Sequence, residues 1–411
     1  MEPPAAPPPT RRGRPTRALG ATVVVLVGVI LIGGGLLGRA IGSGTPTAGP
    51  TAGPTSSGPA TPGAGSPTVG ASGQATPGSS PSTGVADKSR GYLVSPSDLA
   101  ERASNAGQHQ EPWEVALKGL LADADEALAG TPQPAINLDI PGTEGPFVDD
   151  TASAYNLGLA YALTGDVRYA AKAREYITAW TSTTKRLLNA CPDDGACQTS
   201  LIVGRVVAGF VFAADLIRPS GVMTADDDRA LRAWLRDLIL PDLSTRSNNW
   251  GDAGNFSRAV INDYLDDQTG FQDALAEWKT RMDLVAADGH IPEEVRRGTA
   301  GLSYSQEALQ YKIGVARLAE LRGIDLWSYQ GAKGGSLDKA LGLVRTYWFD
   351  PGRWPWNGNV TVPSPSPMWE LAYQHFKDLE WGKVFAGDRP YGHEGHSAIR
   401  WTTLTNGIPI R

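Results

Sequence analysis

The stretch TASAYNLGLAYALTGDVRYAAKAREYITAW, residues 151–180, decides the fold of this chain. Apolar residues recur at helical spacing from Thr151 to Thr164. Gly165 then supplies a C-terminal stop, and Asp166 supplies an N-cap for a second helix from Val167 to Trp180. The pattern therefore predicts a helical hairpin, in which two antiparallel helices are joined by a tight turn.

Helical patterns continue along the rest of the chain. The segment from Thr199 to Ile217 is more uniformly apolar, which predicts an inner helix. Thr224 opens another helix with Asp227 three residues on, a weak capping-box pattern. Because strand-like alternation is scarce, we predict an all-α domain of helical hairpins curled into a ring or horseshoe. Further helices are predicted at 226–239, 255–265, 270–286, 303–321, 336–347 and 368–377.

A repeat scaffold is the rival fold. Residues 158–180 resemble one tetratricopeptide unit in their spacing of small and aromatic residues. Arrays of such units need several copies at a fixed period near ~34 residues. No second copy occurs at that spacing on either side, so the hairpin is better interpreted as one member of a non-repeating ring.

The N-terminal part predicts a membrane anchor. Residues 1–18 are basic, and residues 19–38 form an uncharged apolar run that is long enough to cross a bilayer. Arginines on the N-terminal side predict a cytoplasmic tail and an extracytoplasmic remainder, so the chain would bind the membrane through this helix. The alternative is a cleaved signal peptide followed by secretion.

A linker and one globular domain follow. Residues 39–88 consist almost wholly of Gly, Pro, Ser, Thr and Ala, which predicts a disordered, extended linker. Residues 89–411 hold most of the 12 Trp and 12 Tyr without a Pro/Gly-rich break, which predicts one domain. The net charge of −6 argues against nucleic acid as a partner, and any anion must bind in a local cationic cleft. The oligomeric state is left open.

The two cysteines predict a disulfide rather than a metal or redox site. Cys191 and Cys197 flank a turn-rich loop, and on the exported side of a membrane the expected outcome is a bond between them. Two thiols alone make a poor zinc site, and His393 and His396 in GHEGH lack further ligands. No metal or other cofactor is predicted.

Two segments carry residues that suit β-elimination from a uronic acid. An Asn-Asn-Trp run occupies residues 248–250, and an arginine pair at 296–297 precedes Tyr304. The reaction needs donors that neutralise a carboxylate and a phenol that moves a proton. Each element also has an ordinary explanation: an asparagine N-cap, a solvated charge cluster with Glu293 and Glu294, or a tyrosine packed in the core.

Several strings, in order, resemble the alginate lyase family, and the closest type is polysaccharide lyase family five. They are FVDDTASAYNLGLAYALTGDVRYAAKAREYITAW, SNNW, DGHIPEEVRRGTAGLSYSQEAL, WELAYQHF and GHSAIRWTTLTNG, spread over residues 147–407. The resemblance implies an incomplete (α/α) toroid with a deep cleft. It also implies an acidic polysaccharide substrate that is cleaved by β-elimination without an obligatory metal.

The resemblance assigns roles to individual residues. Asn249 and Arg297 would bind the C6 carboxylate of the substrate, and Tyr304 would protonate the leaving O4. Trp250 stands where the family has its catalytic histidine, and an indole cannot accept a proton. The remaining substrate-binding predictions are Asn248, Trp250, Arg296 and His290.

The departure at Trp250 leaves three interpretations open. Tyr304 serves as both base and acid, with its phenolate favoured by the neighbouring Arg297. Alternatively, His290 supplies the base. In the third interpretation the domain has lost lyase chemistry, binds glycans or acts as a cell-wall scaffold, and uses Trp250 as a platform for sugar rings.

A glycoside hydrolase is the alternative enzyme class. Such enzymes place two carboxylates roughly 5–10 Å apart across a sugar. No pair stands out among the 43 acidic residues, so the lyase prediction is preferred. The candidates are Asp149, Asp150, Asp252, Glu307 and Glu370.

Overall fold

A computed structural model gives the architecture of the C-terminal part of the chain. The predicted tail, membrane helix and linker (1–18, 19–38 and 39–88) lie outside the described residues, as does His393. The structure describes residues 89–140, 142–191, 193, 197–356, 358–391 and 396–410.

The described residues are mostly helical, which confirms the predicted helical class of the domain. Two short strands, β1 (Asn137–Asp139) and β2 (Arg186–Leu188), pair in parallel. The α-helices are α1 (Pro96–Gly107), α2 (Trp113–Ala129), α3 (Glu144–Thr164), α4 (Val167–Thr183), α5 (Gln198–Val206), α6 (Ala208–Ile217), α7 (Ala225–Trp234), α8 (Asn249–Tyr264), α9 (Gln268–Met282), α10 (Pro292–Val295), α11 (Gly301–Leu321), α12 (Leu337–Phe349), α13 (Met368–Phe376), α14 (Leu379–Phe385) and α15 (Thr402–Asn406).

The predicted hairpin is formed by α3 and α4. Gly165 ends α3 in the left-handed region, with φ of 74°, and its N–H donates to the Tyr161 carbonyl. The Asp166 side chain then caps α4 by accepting from the Arg168 N–H. Because α3 begins at Glu144 rather than Thr151, the hairpin is longer than the sequence predicted.

Packing between helices runs around a ring. Helix α3 packs on α4 and α6, α5 packs on α8, α8 packs on α9 and α11, and α11 packs on α12 and α13. Helix α15 contacts α13 on one side and α1 and α2 on the other. Two indole hydrogen bonds tie this C-terminal segment to the first helices: Trp401 Nε1 donates to Asn156 Oδ1 at 2.8 Å, and Trp113 Nε1 donates to the Gly407 carbonyl at 3.0 Å.

The apolar segment predicted at 199–217 is two helices, α5 and α6, that meet at Val207. Among the described residues, one helical stretch, Gln198–Ser220, is apolar and long enough to cross a membrane. However, 94% of its most apolar window is buried inside the fold. The stretch therefore belongs to the core of the ring, as the uniform apolarity predicted.

Most of the other predicted helices are present with shifted ends. The Thr224–Asp227 capping box forms at the start of α7, which continues as a π-helical turn to Ile239. Helix α8 begins at Asn249, earlier than the predicted 255. The predicted segments 270–286, 303–321, 336–347 and 368–377 correspond to α9, α11, α12 and α13.

The predicted disulfide is confirmed. Cys191 and Cys197 are bonded, with their Cα atoms 5.5 Å apart. The Cys191 N–H donates to Ser200 Oγ at 3.0 Å, and Cys197 stands at the N-cap of α5. The bond thus links Cys191 to the residue at which an inner helix begins.

Candidate active site

The first turn of α8 places Asn249 in the interior. The side chain of Asn248 accepts a hydrogen bond from the Trp250 N–H at 3.1 Å, which is the N-cap interaction that starts the helix. Asn249 is fully buried, and its backbone N–H donates to Glu294 Oε1 at 2.6 Å. Neither amide atom of its side chain has a hydrogen-bond partner among the described residues. Leaving a buried amide unpaired is costly, so the structure holds this side chain at a price in stability.

Arg297 lies beside Tyr304 and is linked to Asn249 through Glu294. Its guanidinium carbon is 4.1 Å from the centroid of the Tyr304 ring. Its Nη1 is 3.9 Å from Glu294 Oε2. The side chain is 32% exposed, so the cation is reachable from solvent. Contacts through Glu294 therefore bring Asn249, Arg297 and Tyr304 together.

Glu294 is a member of this cluster that the sequence analysis missed. Its side chain is fully buried, and Oε2 has no hydrogen-bond partner among the described residues. Burial has the largest effect on the pKa of Glu294 and, together with the nearby Asp252 carboxylate, raises it to about 8. From the sequence, Glu293 and Glu294 are interpreted as parts of one solvated charge cluster. The only sequence signal for a specific ion pair is the one-turn spacing between Glu294 and Arg297.

Arg296 and Trp250 lie near the cluster with different partners. Arg296 is 67% exposed and forms an ion pair with Glu293, so it is an ordinary surface pair. Trp250 is half-buried, and the guanidinium carbon of Arg246 lies 4.6 Å from its ring centroid. The structure therefore shows an indole, with a guanidinium over its face, at the residue that follows Asn249.

His290 contacts a different set of residues. Its Nδ1 is 2.6 Å from Asp288 Oδ1, and its ring centroid is 5.1 Å from that of Trp356. These contacts tie His290 to its own loop and to an aromatic neighbour. Among the described residues, no contact joins it to Tyr304.

A cleft of about 360 Å³ borders the cluster. Ser303 and Glu307, which flank Tyr304 on α11, contribute to its wall, whereas Asn249, Glu294, Arg297 and Tyr304 do not line it. The cluster therefore lies next to the cleft, at its edge. Arg205 reaches into the cleft from α5 and forms an ion pair with Glu307. The lining residues are Arg205, Ser303, Gln306, Glu307, Gln310, Tyr311, Ser364, Pro365, Ser366, Pro367, His396 and Ser397.

The carboxylates considered for a hydrolase are engaged elsewhere. Asp149 is exposed on the surface of α3. Each of the others is held by a cation or an indole. The partners are Trp180 for Asp150, Lys312 for Asp252, Arg205 for Glu307, and Arg389 for Glu370.

No metal centre is apparent in the described part of the chain. There, no group of three or more His, Cys, Asp or Glu side chains is arranged to hold an ion. His396, from the segment considered in the sequence, has its Nδ1 2.9 Å from Glu144 Oε1. This contact joins the segment before α15 to the start of α3.

Comparison with protein families identifies the domain. The sequence model of the alginate lyase family matches residues 141–354, just over half of the chain. This protein belongs to the alginate lyase family. The matched region contains the whole Asn249–Glu294–Arg297–Tyr304 cluster. Among curated proteins, no significant match to this family member was found.

Solved structures of alginate lyases share its fold. An alginate lyase from Bacteroides ovatus superimposes with a TM-score of 0.64 at 18% identity, covering 78% of this chain and 100% of that one. Alginate lyase A1-III from Sphingomonas species A1 gives the same score and identity, with 81% and 100% covered. A histidine-to-alanine variant of A1-III complexed with tetrasaccharide gives 0.63 at 18% identity, with 81% and 99% covered. At such identities the likeness concerns the fold.

Proposed function

We propose that this family member is a polysaccharide lyase that cleaves a uronic-acid-containing polymer by β-elimination. The observation that carries the proposal is the contact chain from Asn249 through Glu294 and Arg297 to Tyr304, at the edge of a cleft. An asparagine of α8 is linked there, through Glu294, to a guanidinium and a phenol that come later in the chain. These are the groups that the reaction needs.

The first task of the site is to bind the C6 carboxylate. Arg297 supplies a cation that is reachable from solvent. We assign the second donor to the side-chain amide of Asn249, which is buried and has no partner among the described residues. Neutralising the carboxylate stabilises the enolate-like charge that develops when the C5 proton is removed. The C4–O4 bond then breaks, a C4–C5 double bond forms, and O4 takes up a proton.

Tyr304 is the group that we assign to proton transfer. It lies against Arg297 at the edge of the cleft, where the sugar ring next to the bound carboxylate would sit. Since Trp250 cannot accept a proton, we propose that the phenolate of Tyr304 takes the C5 proton, becoming a phenol, and then donates that proton to O4. The contacts of His290 with Asp288 and Trp356 favour Tyr304 over His290 as the base.

The proposed cellular location of the enzyme follows from its N-terminal sequence and its disulfide. We propose that residues 19–38 anchor the chain in the membrane and that the domain acts outside the cytoplasm on an acidic polysaccharide. The Cys191–Cys197 disulfide supports an extracytoplasmic location, because disulfides persist in oxidising compartments. Protease treatment of intact cells would test the orientation: it should remove the C-terminal domain and spare the N-terminal tail.

The catalytic proposal is tested with the full-length protein in detergent. It is incubated with alginate, polyglucuronate, hyaluronan and pectate, and the C4–C5 double bond is followed by its ultraviolet absorbance. We expect product from at least one polymer, and we expect Tyr304→Phe to lower kcat by about 10²–10⁴-fold. Tyr161→Phe, a tyrosine outside the cluster, serves as the matched control.

Two results would contradict the lyase proposal. New reducing ends without ultraviolet absorbance would indicate a hydrolase. Glycan binding without either product would indicate a non-catalytic binding protein. The Arg246–Trp250 stack is the observation that favours this second candidate, because a flat indole suits sugar rings.

A further inference from the structure

Glu294 is a buried acid that the proposed chemistry does not use. Its side chain has no exposed surface. Oε1 accepts the Asn249 N–H at 2.6 Å, and Oε2 lies 3.9 Å from Nη1 of Arg297. One carboxyl group therefore contacts both residues that we assign to the uronate carboxylate.

The charge on Glu294 controls what Arg297 can bind. An ionised Glu294 would place a negative charge beside the guanidinium, in an interior where charges interact more strongly than in water. It would compete with the substrate carboxylate for Arg297 and would also repel it. A neutral Glu294 keeps its bond to the Asn249 N–H and does neither.

The surroundings of Glu294 favour the neutral acid. Burial has the largest effect on its pKa, Asp252 and Glu307 add to the rise, and the Asn249 N–H and Arg297 oppose it. The result is a pKa of about 8. The charge of Asp252 is itself offset by a buried lysine and a buried arginine. The charged groups around Glu294 are Asp252 of α8, Glu307 and Lys312 of α11, Arg281 of α9 next to Asp252, and Arg297 after α10.

We propose that Glu294 is a positioning residue of this site. Held as a neutral carboxylic acid, it fixes the backbone of Asn249 and leaves the Arg297 guanidinium to the uronate carboxylate. This inference rests on the proposed lyase function for its substrate class. It adds a pH range to that function. Uronates bind at a pH below that at which Glu294 ionises, and they are released at a higher pH.

The experiment measures KM and kcat separately for wild type, Glu294→Gln and Glu293→Gln between pH 6 and pH 10. Glutamine keeps the shape of the side chain and stays neutral. We expect the wild-type KM to rise about tenfold per pH unit above pH ~8, as one ionisation blocks binding. In Glu294→Gln, KM should not change with pH, and it should lie within about threefold of the value that wild type has at pH 7. Glu293→Gln, the matched control whose carboxyl pairs with the exposed Arg296, should keep the wild-type profile.

Two outcomes overturn the proposal. One is a Glu294→Gln enzyme whose KM rises with pH like that of wild type. The other is a wild-type KM that does not change through pH 8, a result that needs no variant and is unaffected if Glu294→Gln fails to fold.

Calorimetric binding of oligosaccharides from the four polymers separates this inference from the lyase proposal. A wild type that forms no unsaturated product, yet binds a uronate oligosaccharide below pH 8 and releases it above, contradicts the lyase proposal and supports the role of Glu294. Absence of uronate binding at every pH contradicts both. Product formation with a flat KM contradicts the role of Glu294 alone.

Discussion

The guanidinium carbon of Arg297 lies 4.1 Å from the centre of the Tyr304 ring. About two helical turns of sequence separate these residues, and they meet because the chain turns at Gly298, whose φ is 63°. That left-handed conformation suits glycine and lets Arg297 lie over the first turn of α11. A cation and a phenol are thereby held side by side at the edge of the cleft.

Replacing Arg297 should remove most of the activity. Arg297→Ala takes away the cation that neutralises the uronate carboxylate, and we expect kcat/KM for unsaturated product to fall by about 10²–10³-fold. Arg296→Ala is the matched control, since Arg296 is exposed and paired with Glu293. It should stay within about twofold of wild type. Equal losses in the two variants would show that overall positive charge, rather than this site, binds the polymer.

Replacing Trp250 by histidine should introduce a second proton acceptor. In Trp250→His the neutral imidazole would act as base, so kcat should gain an acidic limb that rises through pH ~6.5. The measurement is kcat against pH. Trp250→Phe, which keeps a flat ring but accepts no proton, should show no such limb. An unchanged profile in Trp250→His would mean that this position does not reach the C5 proton.

The buried Glu294 should also make stability depend on pH. Its pKa is raised from 4.5 to about 8 in the folded state, so the native protein binds the proton more tightly than the unfolded chain. This contribution is fully present below pH ~4.5 and is lost as pH rises towards 8.

Urea unfolding at pH 5 and pH 8 measures the effect. Wild type should lose on the order of 3 kcal/mol more unfolding free energy than Glu294→Gln across this interval. Glu293→Gln should behave like wild type. Parallel losses in all three proteins would place the pH dependence on other groups.

The disulfide should contribute modestly to stability. Cys191 and Cys197 close a short loop in front of α5, and chain entropy predicts a loss of about 2 kcal/mol when the bond is removed. The test compares urea unfolding of wild type with and without reductant against the Cys191→Ser, Cys197→Ser double variant. Wild type in reductant should match the double variant. A wild type unaffected by reductant, with the double variant equally stable, would contradict this role.

Local signals predicted much of the fold. Gly165, Asp166 and the Thr224–Asp227 box act within one helical turn, so their effect can be recognised from neighbouring residues alone. The start of α8 was placed too late because glycines in its first turns disfavour a helix. One of them, Gly254, is needed there: a Cβ at that position would collide with the carbonyl oxygen of Ser244.

By itself the sequence determined the helical class, the disulfide, the family resemblance and the order of Asn249, Arg297 and Tyr304. Only the tertiary structure decided which of the two adjacent glutamates and which of the two adjacent arginines pack at the site. In PEEVRR, Glu293 and Arg296 have the same spacing as Glu294 and Arg297, yet the first pair faces solvent and the second packs at the start of α8. Spacing along a helix fixes which side chains can meet. The burial of Glu294, and with it its proton, depends on how α10 packs against α11 and on the bond from Asn249 of α8, a helix that is distant along the chain.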